Sequence, residues 1–394
     1  MPATRRHFLG IIAASSLAFA VRGADAPRLR VAVIGHTGRG DYGHGLDTMW
    51  LKLPETEIVA VADADAKGLA AAQQRLKVAH GFADYRAMLA EVKPDIVAIG
   101  MRHVDQHREV ALAVAAAGVK GVYMEKPFCR TLAEADEIVA ACERHRVAFA
   151  LAHRNRWHPV MGTVQRLVSD GALGRVLEFR ARGKEDVRGG SLDLWVLGSH
   201  VLNLMTFFGG APRACTATVL QDGRPVTRAD VKEGAEGIGL LAGNEIHARY
   251  ELTGGAPGFF DSIANAGDRA AGFGLQIIGT KGIVDVRTDQ EPAAHFLAGN
   301  PFRPVKDPRA WQPISTAGIG QPEPIANLAA DVAGHLVTGR DLIAAMREQR
   351  PPLCSAADGR VTIEMIAGVF ESHRLHGQRV TLPLATRDNP LTKL

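Results

Sequence analysis

The segment Glu125-Lys126-Pro127 places a lysine directly after a short apolar run, Val119 to Tyr123. An apolar run of this length beside glycine is typical of a buried strand in an α/β sheet. Open α/β sheets bind their ligands at the carboxyl ends of the strands, so we expect the Lys126 ammonium at a ligand crevice. Pro127 has a fixed φ, and a cis peptide bond before it would make a tight turn that aims the lysine into the crevice.

A glycine-rich turn earlier in the chain predicts a dinucleotide site. The strand Arg28 to Gly35 leads into this turn, which we expect to open a helix-like segment. Glycines allow the tight turn and let backbone N–H groups approach a pyrophosphate. Asp63 ends a second strand about twenty residues later, where a carboxylate would accept the ribose hydroxyls and repel a 2′-phosphate. We therefore predict NAD, in preference to NADP, bound by Gly35, Thr37, Gly38, Arg39, Gly40, Asp63, Glu125 and Lys126.

The turn departs from the usual G-x-G-x-x-G pattern at one position. Thr37 stands where the second glycine is expected, and Gly38 would serve in its place. A structural turn in a fold without a cofactor is the alternative interpretation.

The composition limits the classes of function. The chain has 394 residues, 46% hydrophobic and 22% charged, with a formal net charge of +4. These values are typical of a globular protein large enough for two domains, and they give no basic patch for nucleic acid. The cysteines are scattered, and His103 and His107 lack the glutamate of a zinc motif, so we predict neither a disulfide framework nor a metal site, with all four cysteines in the core.

The amino terminus has the pattern of an export signal. Arg5-Arg6 precede a weakly apolar run, Gly10 to Val21, that is too short to span a bilayer. We predict a twin-arginine-type signal over residues 1–26, a periplasmic or exported protein, and no stable membrane anchor. Such a signal exports folded proteins, which suits a chain that captures its cofactor in the cytoplasm. An ordinary secretory signal with a chance arginine pair is the alternative.

Strands and helices alternate over residues 27–151, which predicts a doubly wound parallel sheet, an N-terminal Rossmann domain. Residues 152–394 change to longer strands with polar alternation, which predicts an α+β domain with a largely antiparallel, open-faced sheet. An open apolar face favours a homo-oligomer. The predicted elements of this second part are strands at 176–182, 215–221, 236–252 and 273–286 with a hairpin at 279–282, a surface excursion at 292–324, and helices at 325–338 and 359–375.

The chain resembles the glucose–fructose oxidoreductase / inositol dehydrogenase superfamily (Gfo/Idh/MocA) over nearly everything after residue 27. The resemblance is carried by the glycine turn, by Glu125-Lys126-Pro127, by the run Gly198 to Asn203, and by the 279–282 hairpin. It implies hydride transfer between NAD and a sugar or polyol, with Lys126 and His200 beside the nicotinamide. An imidazole near neutral pKa can take the hydroxyl proton while the lysine polarises the oxygen.

Two positions depart from the pattern of that superfamily. Val196 stands four residues before His200 where many relatives carry aspartate, and Asn203 stands where aspartate often follows. Asp193 is our candidate for the missing carboxylate, so the predicted catalytic residues are Lys126, His200 and Asp193. A core histidine at 200 and a solvated lysine at 126 are the alternatives.

Polar residues near the start of the second part are candidates for binding a carbohydrate. A tryptophan can stack on a sugar ring, and basic side chains can bind hydroxyls. A solvated sheet face or a core position is the alternative for each. The predicted substrate-binding residues are Arg156, Trp157, Lys184 and Asn203.

The leading hypothesis is an NAD-dependent oxidoreductase for a sugar, polyol or glycoside that keeps and recycles a tightly bound cofactor. The alternative is an NAD-dependent glycoside hydrolase or lyase that works through a transient keto-sugar. A non-catalytic sugar-binding relative is a third class.

Overall fold

The computed structural model describes residues 27–267 and 273–394, and the predicted export signal lies outside these residues. The first sheet is parallel, with strand order β3-β2-β1-β4-β5-β6. This order is that of a doubly wound sheet, whose ligand crevice lies where the order reverses, between β1 and β4. Its strands are β1 (Leu29–Ile34), β2 (Thr56–Ala62), β3 (Gly81–Phe82), β4 (Ile96–Ile99), β5 (Gly121–Met124) and β6 (Ala148–Leu151).

Helices connect these strands, and a side chain caps the amino end of each except the helix His107–Ala116. Thr131 caps the fourth helix by accepting a hydrogen bond from the Glu134 N–H (3.2 Å). Threonine followed three residues later by glutamate is the sequence pattern of a capping box, but the box is half formed here, because the Glu134 carboxylate accepts from the Arg130 N–H instead (2.8 Å). The sequence missed β3 and the helix after it, since a two-residue strand leaves no periodic pattern. The helices are α1 (Ala66–Leu76), α2 (Tyr85–Val92), α3 (His107–Ala116) and α4 (Leu132–His145).

The helix-like segment expected after the glycine turn is replaced by turns that lead into a short 3₁₀ helix, Thr48–Lys52. The backbone explains the difference, because a right-handed helix needs negative φ at every residue. Positive φ values occur at Gly38, Asp41 and Gly43, among others in this loop. We call residues 35–47 the glycine loop.

The second sheet is mostly antiparallel, and the predicted fold class is confirmed. Its strand order is β18-β17-β16-β15-β14-β7-β13-β12-β8-β19, with β9 paired to β8. The predicted 279–282 hairpin joins two of these strands. The strands are β7 (Val176–Arg182), β8 (Pro212–Gln221), β9 (Arg224–Pro225), β12 (Glu245–Leu252), β13 (Pro257–Ile263), β14 (Gly274–Gly279), β15 (Gly282–Arg287), β16 (Ala294–Ala298), β17 (Gln312–Ser315), β18 (Gly318–Ile319) and β19 (Val380–Thr381), and β10 (Lys232–Glu233) pairs separately with β11 (Leu240–Leu241).

Several predicted elements of this part are corrected. The expected strand 236–252 is divided into the two-residue β11 and the longer β12, because Gly237, Gly239 and Gly243 adopt positive φ on either side of β11. The expected excursion 292–324 contains β16, β17 and β18. The expected helix 325–338 breaks at His335, whose φ is +61°. The helices are α5 (Val160–Ser169), α6 (Ser191–Asp193), α7 (Ser199–Gly209), α8 (Leu328–Ala333), α9 (Leu336–Glu348) and α10 (Ala356–Arg374).

The carboxyl-terminal helices return to the first sheet. α9 packs on β5 and β6, and α10 packs on α4 as well as on β8. The contact with β5 is close: a Cβ at Gly121 would lie 2.5 Å from the Met346 sulfur. The core is therefore continuous between the Rossmann domain and the second part, and all four cysteines lie in it, as predicted. Within residues 27–267 and 273–394, no helix combines the length and the apolar character needed to cross a bilayer.

Candidate active site

Lys126 and Glu125 are buried at the carboxyl end of β5. Their exposed fractions are 7% and 1%. The Lys126 Nζ donates to the carbonyl of Val196 (3.0 Å), and the Glu125 Oε2 lies 3.2 Å from the His44 Nδ1. The Lys126–Pro127 peptide bond is cis.

The carbonyl that holds Lys126 belongs to a π-helical turn, Leu194–Gly198, between α6 and α7. Such turns widen a helix and are frequent at functional sites. The resemblance described above implies a carboxylate at the position of Val196. Here the main-chain oxygen of the same residue accepts from the lysine.

Lys126 and His200 line one cavity of about 80 Å³. The cavity has room for a few water molecules, and its rim carries the ion pair Arg154–Asp289. Its lining brings together residues from the glycine loop, both sheets and the start of α9: His44, Glu125, Lys126, Ala152, Arg154, Leu197, His200, Asp289 and His335.

His200 is in contact with a second histidine, His153, which follows β6. Their Nδ1 atoms are 3.3 Å apart, and the two rings meet edge to face. Burial, reinforced by the charge of Lys126, lowers the pKa of His200 well below its usual range. The same causes lower the pKa of His153 to about 3. Both imidazoles are therefore neutral near pH 7, and a neutral imidazole can accept a proton.

The acid and the lysine of the box also have shifted pKa values. Burial alone would raise the pKa of Glu125, but the hydrogen bond from His44 and the charge of Lys126 lower it to about 2. Burial lowers the pKa of Lys126, and the charge of Glu125 opposes part of that effect. Glu125 thus stays ionised beside the lysine.

Asp193 lies away from this cavity, which corrects its assignment as the missing catalytic carboxylate. It is fully buried and accepts from the Ser262 hydroxyl (2.6 Å) and from the N–H groups of Lys184 and Glu185. In a regular α-helix, Asp193 would lie on the same face as His200, because the two are seven residues apart. The extra residue of the π turn rotates Asp193 away from that face. Asp193 therefore organises the loop after β7.

The predicted substrate residues Arg156 and Asn203 bind each other (3.2 Å), and Arg156 also pairs with Asp358 (2.8 Å). Trp157 is buried and donates to the carbonyl of Leu151 (3.3 Å), so the core interpretation holds for it. The Lys184 side chain is exposed. None of these four residues is in the lining of the cavity that contains Lys126 and His200, as far as the chain is described.

Sequence reasoning assigned no role at this site to His44, His153, Asp289 or His335. His153 lies two residues after the end of β6, so the rule that ligands bind at strand ends could have found it. His335 carries no such signal, because only tertiary packing brings it to the cavity.

The glycine loop uses its special residues for internal packing. A Cβ at Gly35 would lie 2.2 Å from the Tyr42 ring. The Tyr42 hydroxyl donates to Asp63 (2.9 Å), and Thr37 donates to the same carboxylate through its N–H and its hydroxyl. These hydrogen bonds lower the pKa of Asp63 against the opposing effect of burial. Arg39 pairs with Asp105.

The crevice where the strand order reverses can hold the adenosine half of a dinucleotide. A cavity of about 280 Å³ lies there, next to Gly35, Asp63 and Tyr85. The Nε of Arg102 is buried without a hydrogen-bond partner among the described residues, and a Cβ at Gly40 would lie 2.4 Å from the Arg102 N. This guanidinium fits a pyrophosphate at the loop. A ribose hydroxyl would compete with Thr37 and Tyr42 for the oxygens of Asp63, because these accept several hydrogen bonds already.

Residues 29–153 match the family model GFO_IDH_MocA, described as an oxidoreductase family with an NAD-binding Rossmann fold. Over 180 residues the chain is 36% identical to D-apiose dehydrogenase of Paraburkholderia graminis. The aligned segment covers 43% of this chain and 48% of that protein. It is 25% identical over 254 residues to levoglucosan dehydrogenase of Pseudarthrobacter phenanthrenivorans. This second aligned segment covers 57% of this chain and 63% of that protein. The matches span less than two thirds of the length of either relative.

Solved structures share the fold over most of the chain. A levoglucosan dehydrogenase in complex with NADH and levoglucosan has a TM-score of 0.71 at 19% identity, and covers 91% of this chain and all of that one. An oxidoreductase from Agrobacterium radiobacter in complex with NAD+, L-tartaric acid and magnesium has a TM-score of 0.66 at 20% identity, and covers 90% of this chain and 98% of that one. The N-terminal domain is thus an NAD-binding Rossmann fold.

We predict that Arg102→Ala raises the Kd for NAD by about 10- to 150-fold, because a charge-assisted hydrogen bond contributes roughly 1.5–3 kcal/mol. Titration calorimetry with cofactor-free protein measures the effect. Arg108→Ala is the matched control, since that arginine pairs with Glu137 on the surface. Equal affinities in the two variants would remove Arg102 from the cofactor site.

We predict that the protein loses stability in acid partly through His153. The unfolded chain binds a proton at this residue near pH 6.5 and the folded chain only near pH 3, so stability falls as the pH drops through that window. The slope contributed by one such group reaches about 1.4 kcal/mol per pH unit. Urea unfolding of His153→Gln between pH 6.5 and 4 should give a shallower dependence, whereas exposed His145→Gln should follow the unmodified protein.

Proposed function

We propose that this protein, whose residues 29–153 match the family model GFO_IDH_MocA, oxidises or reduces a sugar, a polyol or a glycoside. The observation that carries the proposal is that Lys126 and His200 line one cavity at the carboxyl edge of the NAD-binding sheet. A proton acceptor and an ammonium at one hydroxyl are what an alcohol oxidation requires.

His200 is the group that takes or returns the hydroxyl proton. Its Nδ1 faces His153, so its Nε2 is the nitrogen left for the substrate. Lys126 uses one N–H on the carbonyl of Val196 and keeps the others for the substrate oxygen. The fixed ammonium stabilises negative charge on that oxygen as the proton leaves. NAD, when bound, supplies the acceptor for the hydride.

The charges of the cavity favour an uncharged polyhydroxyl substrate. Among the described residues of the lining, the ionisable groups other than histidine are two cations, Lys126 and Arg154, and two carboxylates, Glu125 and Asp289. Burial lowers the pKa of both His200 and His335, so neither adds charge near pH 7. A sugar acid would find no net positive field here.

The proposal also includes export of the folded protein and retention of its NAD. Arg5-Arg6 and the apolar run after them support twin-arginine export to the periplasm. Free nicotinamide cofactor is scarce there, so the enzyme would fold around NAD in the cytoplasm and recycle it within each turnover. The solvent side of the second sheet is the surface through which a homo-oligomer would form.

A redox-neutral glycoside hydrolase or lyase is the second candidate. Cleavage through a keto-sugar needs a second base, which removes a proton from the carbon beside the new carbonyl. The cavity supports this candidate because His200 and His44 both line it with Lys126.

We predict that Lys126→Ala lowers turnover at least about 100-fold while NAD stays bound, because positioned acid–base groups typically contribute 10²- to 10⁴-fold. Purified protein is first assayed for bound NAD by mass spectrometry, and the reduction of that NAD is then followed by absorbance with a panel of neutral sugars and polyols. Exposed Lys120→Ala, which alters a surface pair with Asp95, is the control.

The same measurements separate the candidates. Net NAD reduction by a free sugar supports the dehydrogenase. Cleavage of an aryl glycoside with solvent deuterium incorporated at C2, and without net reduction, supports the hydrolase or lyase. An unchanged rate in Lys126→Ala would refute both.

We predict that Arg5→Lys combined with Arg6→Lys retains the full chain in the cytoplasm of an expressing bacterium, because the twin-arginine pathway reads the arginine pair. Fractionation and blotting measure the distribution. Arg28→Lys, outside the predicted signal, is the control. Normal export of the double variant would point to an ordinary secretory signal.

A further inference from the structure

His335 is a buried histidine to which the mechanism above gives no role. It immediately precedes α9 and is 3% exposed. It lines the cavity that contains Lys126 and His200, although it lies more than 130 residues beyond His200 in the chain. Its ring packs against that of Tyr123 in β5, with centroids 5.7 Å apart.

Tyr123 fixes the tautomer of this imidazole. The Tyr123 hydroxyl is hydrogen-bonded to the His335 Nδ1 and is fully buried. Among the described residues the His335 Nδ1 is the hydrogen-bond partner of this phenol, and burial raises the pKa of Tyr123 well above its usual range. The phenol proton therefore stays in place and has Nδ1 as its acceptor. In a neutral imidazole whose Nδ1 accepts, the proton is on Nε2.

The Nε2 side of His335 has no hydrogen-bond partner among the described residues, and the atom is enclosed. The backbone of His44 is near enough to affect the ring, but it completes no hydrogen bond of good geometry. Burial lowers the pKa of His335 to about 4, against a smaller opposing effect of Glu125. A buried N–H donor without an acceptor destabilises the empty site, so a ligand that brings an acceptor gains binding free energy from meeting it.

We propose that His335 donates a hydrogen bond from Nε2 to a hydroxyl oxygen of the substrate, as a fixed neutral donor. The proposal rests on the proposed function, since it assumes that a polyhydroxyl substrate enters this cavity. His335 differs from His200 in its chemistry, because its lone pair is used by Tyr123 and it has none left to take a proton. A site built to bind a hydroxyl in this way discriminates against the analogue that lacks it.

The test compares His335→Gln with His335→Leu in the full chain, using the sugar found to reduce the bound NAD. Glutamine keeps an N–H donor for the substrate and an acceptor for Tyr123, whereas leucine keeps neither. We expect kcat/KM to fall about 10- to 100-fold in His335→Leu and by less than about fivefold in His335→Gln. The unmodified protein should have a lower kcat/KM for the deoxy analogue that lacks the bound hydroxyl than for the sugar itself. In His335→Leu this difference between the two substrates should disappear.

Tyr123→Phe provides a second variant that does not alter the cavity wall. It removes the phenol that fixes the tautomer while keeping the aromatic ring, and we expect a fall in kcat/KM of about two- to tenfold. The Kd for NAD and the midpoint of thermal unfolding are measured for every variant. If His335→Leu does not fold, the His335→Gln and Tyr123→Phe pair, together with the deoxy analogue, decides the question.

Three results would overturn the proposal. The first is an unchanged kcat/KM in His335→Leu. The second is an equal loss in His335→Gln and His335→Leu, with lowered unfolding midpoints, which would make the residue a packing element. The third is a weakened Kd for NAD with kcat/KM otherwise preserved, which would assign the donor to the cofactor. Full activity of Lys126→Ala would instead overturn the proposed function itself.

Discussion

Two opposite charges, on Glu125 and Lys126, are buried side by side at the carboxyl end of β5. Removing such charges from water costs several kcal/mol each unless both find partners of good geometry. The partners come from distant parts of the chain, since His44 reaches Glu125 from the glycine loop and Val196 offers its carbonyl to Lys126 from the π turn. The need to satisfy this one pair therefore holds the loop, the first sheet and α7 at a common point.

The same need accounts for the unusual backbone around the site. A Cβ at Gly43 would lie 2.5 Å from the Glu125 Oε2, so the loop can approach the carboxylate only with glycine there. The π turn carries the Val196 carbonyl to the ammonium and rotates the residues before it, which moves Asp193 away from His200. The partner that the π turn offers to Lys126 is a main-chain dipole, so the largest effect of a negative charge on Lys126 comes from Glu125.

Sequence reasoning was most successful where the signal is local. The strand 176–182 was predicted at its observed bounds, because alternating burial is a property of neighbouring residues. The placement of Lys126 in a crevice followed from its position after a buried strand. Trp157 and Asn203 were assigned to a substrate site although they pack in the interior, since residue type alone does not give direction. His335 and Tyr123 are 212 positions apart, and no local pattern records that they meet.

The return of α9 to β5 and β6 limits the modularity of this protein. The cofactor domain looks separable in the sequence, yet a fragment ending at Leu151 would uncover the sheet surface that α9 packs on and would leave the Tyr123 phenol without its acceptor. The wall of the cavity is thus shared between the beginning and the end of the chain. Recombination between relatives at the apparent domain boundary would separate β5 from α9, which packs on it. The two elements must therefore be inherited, or engineered, as one unit.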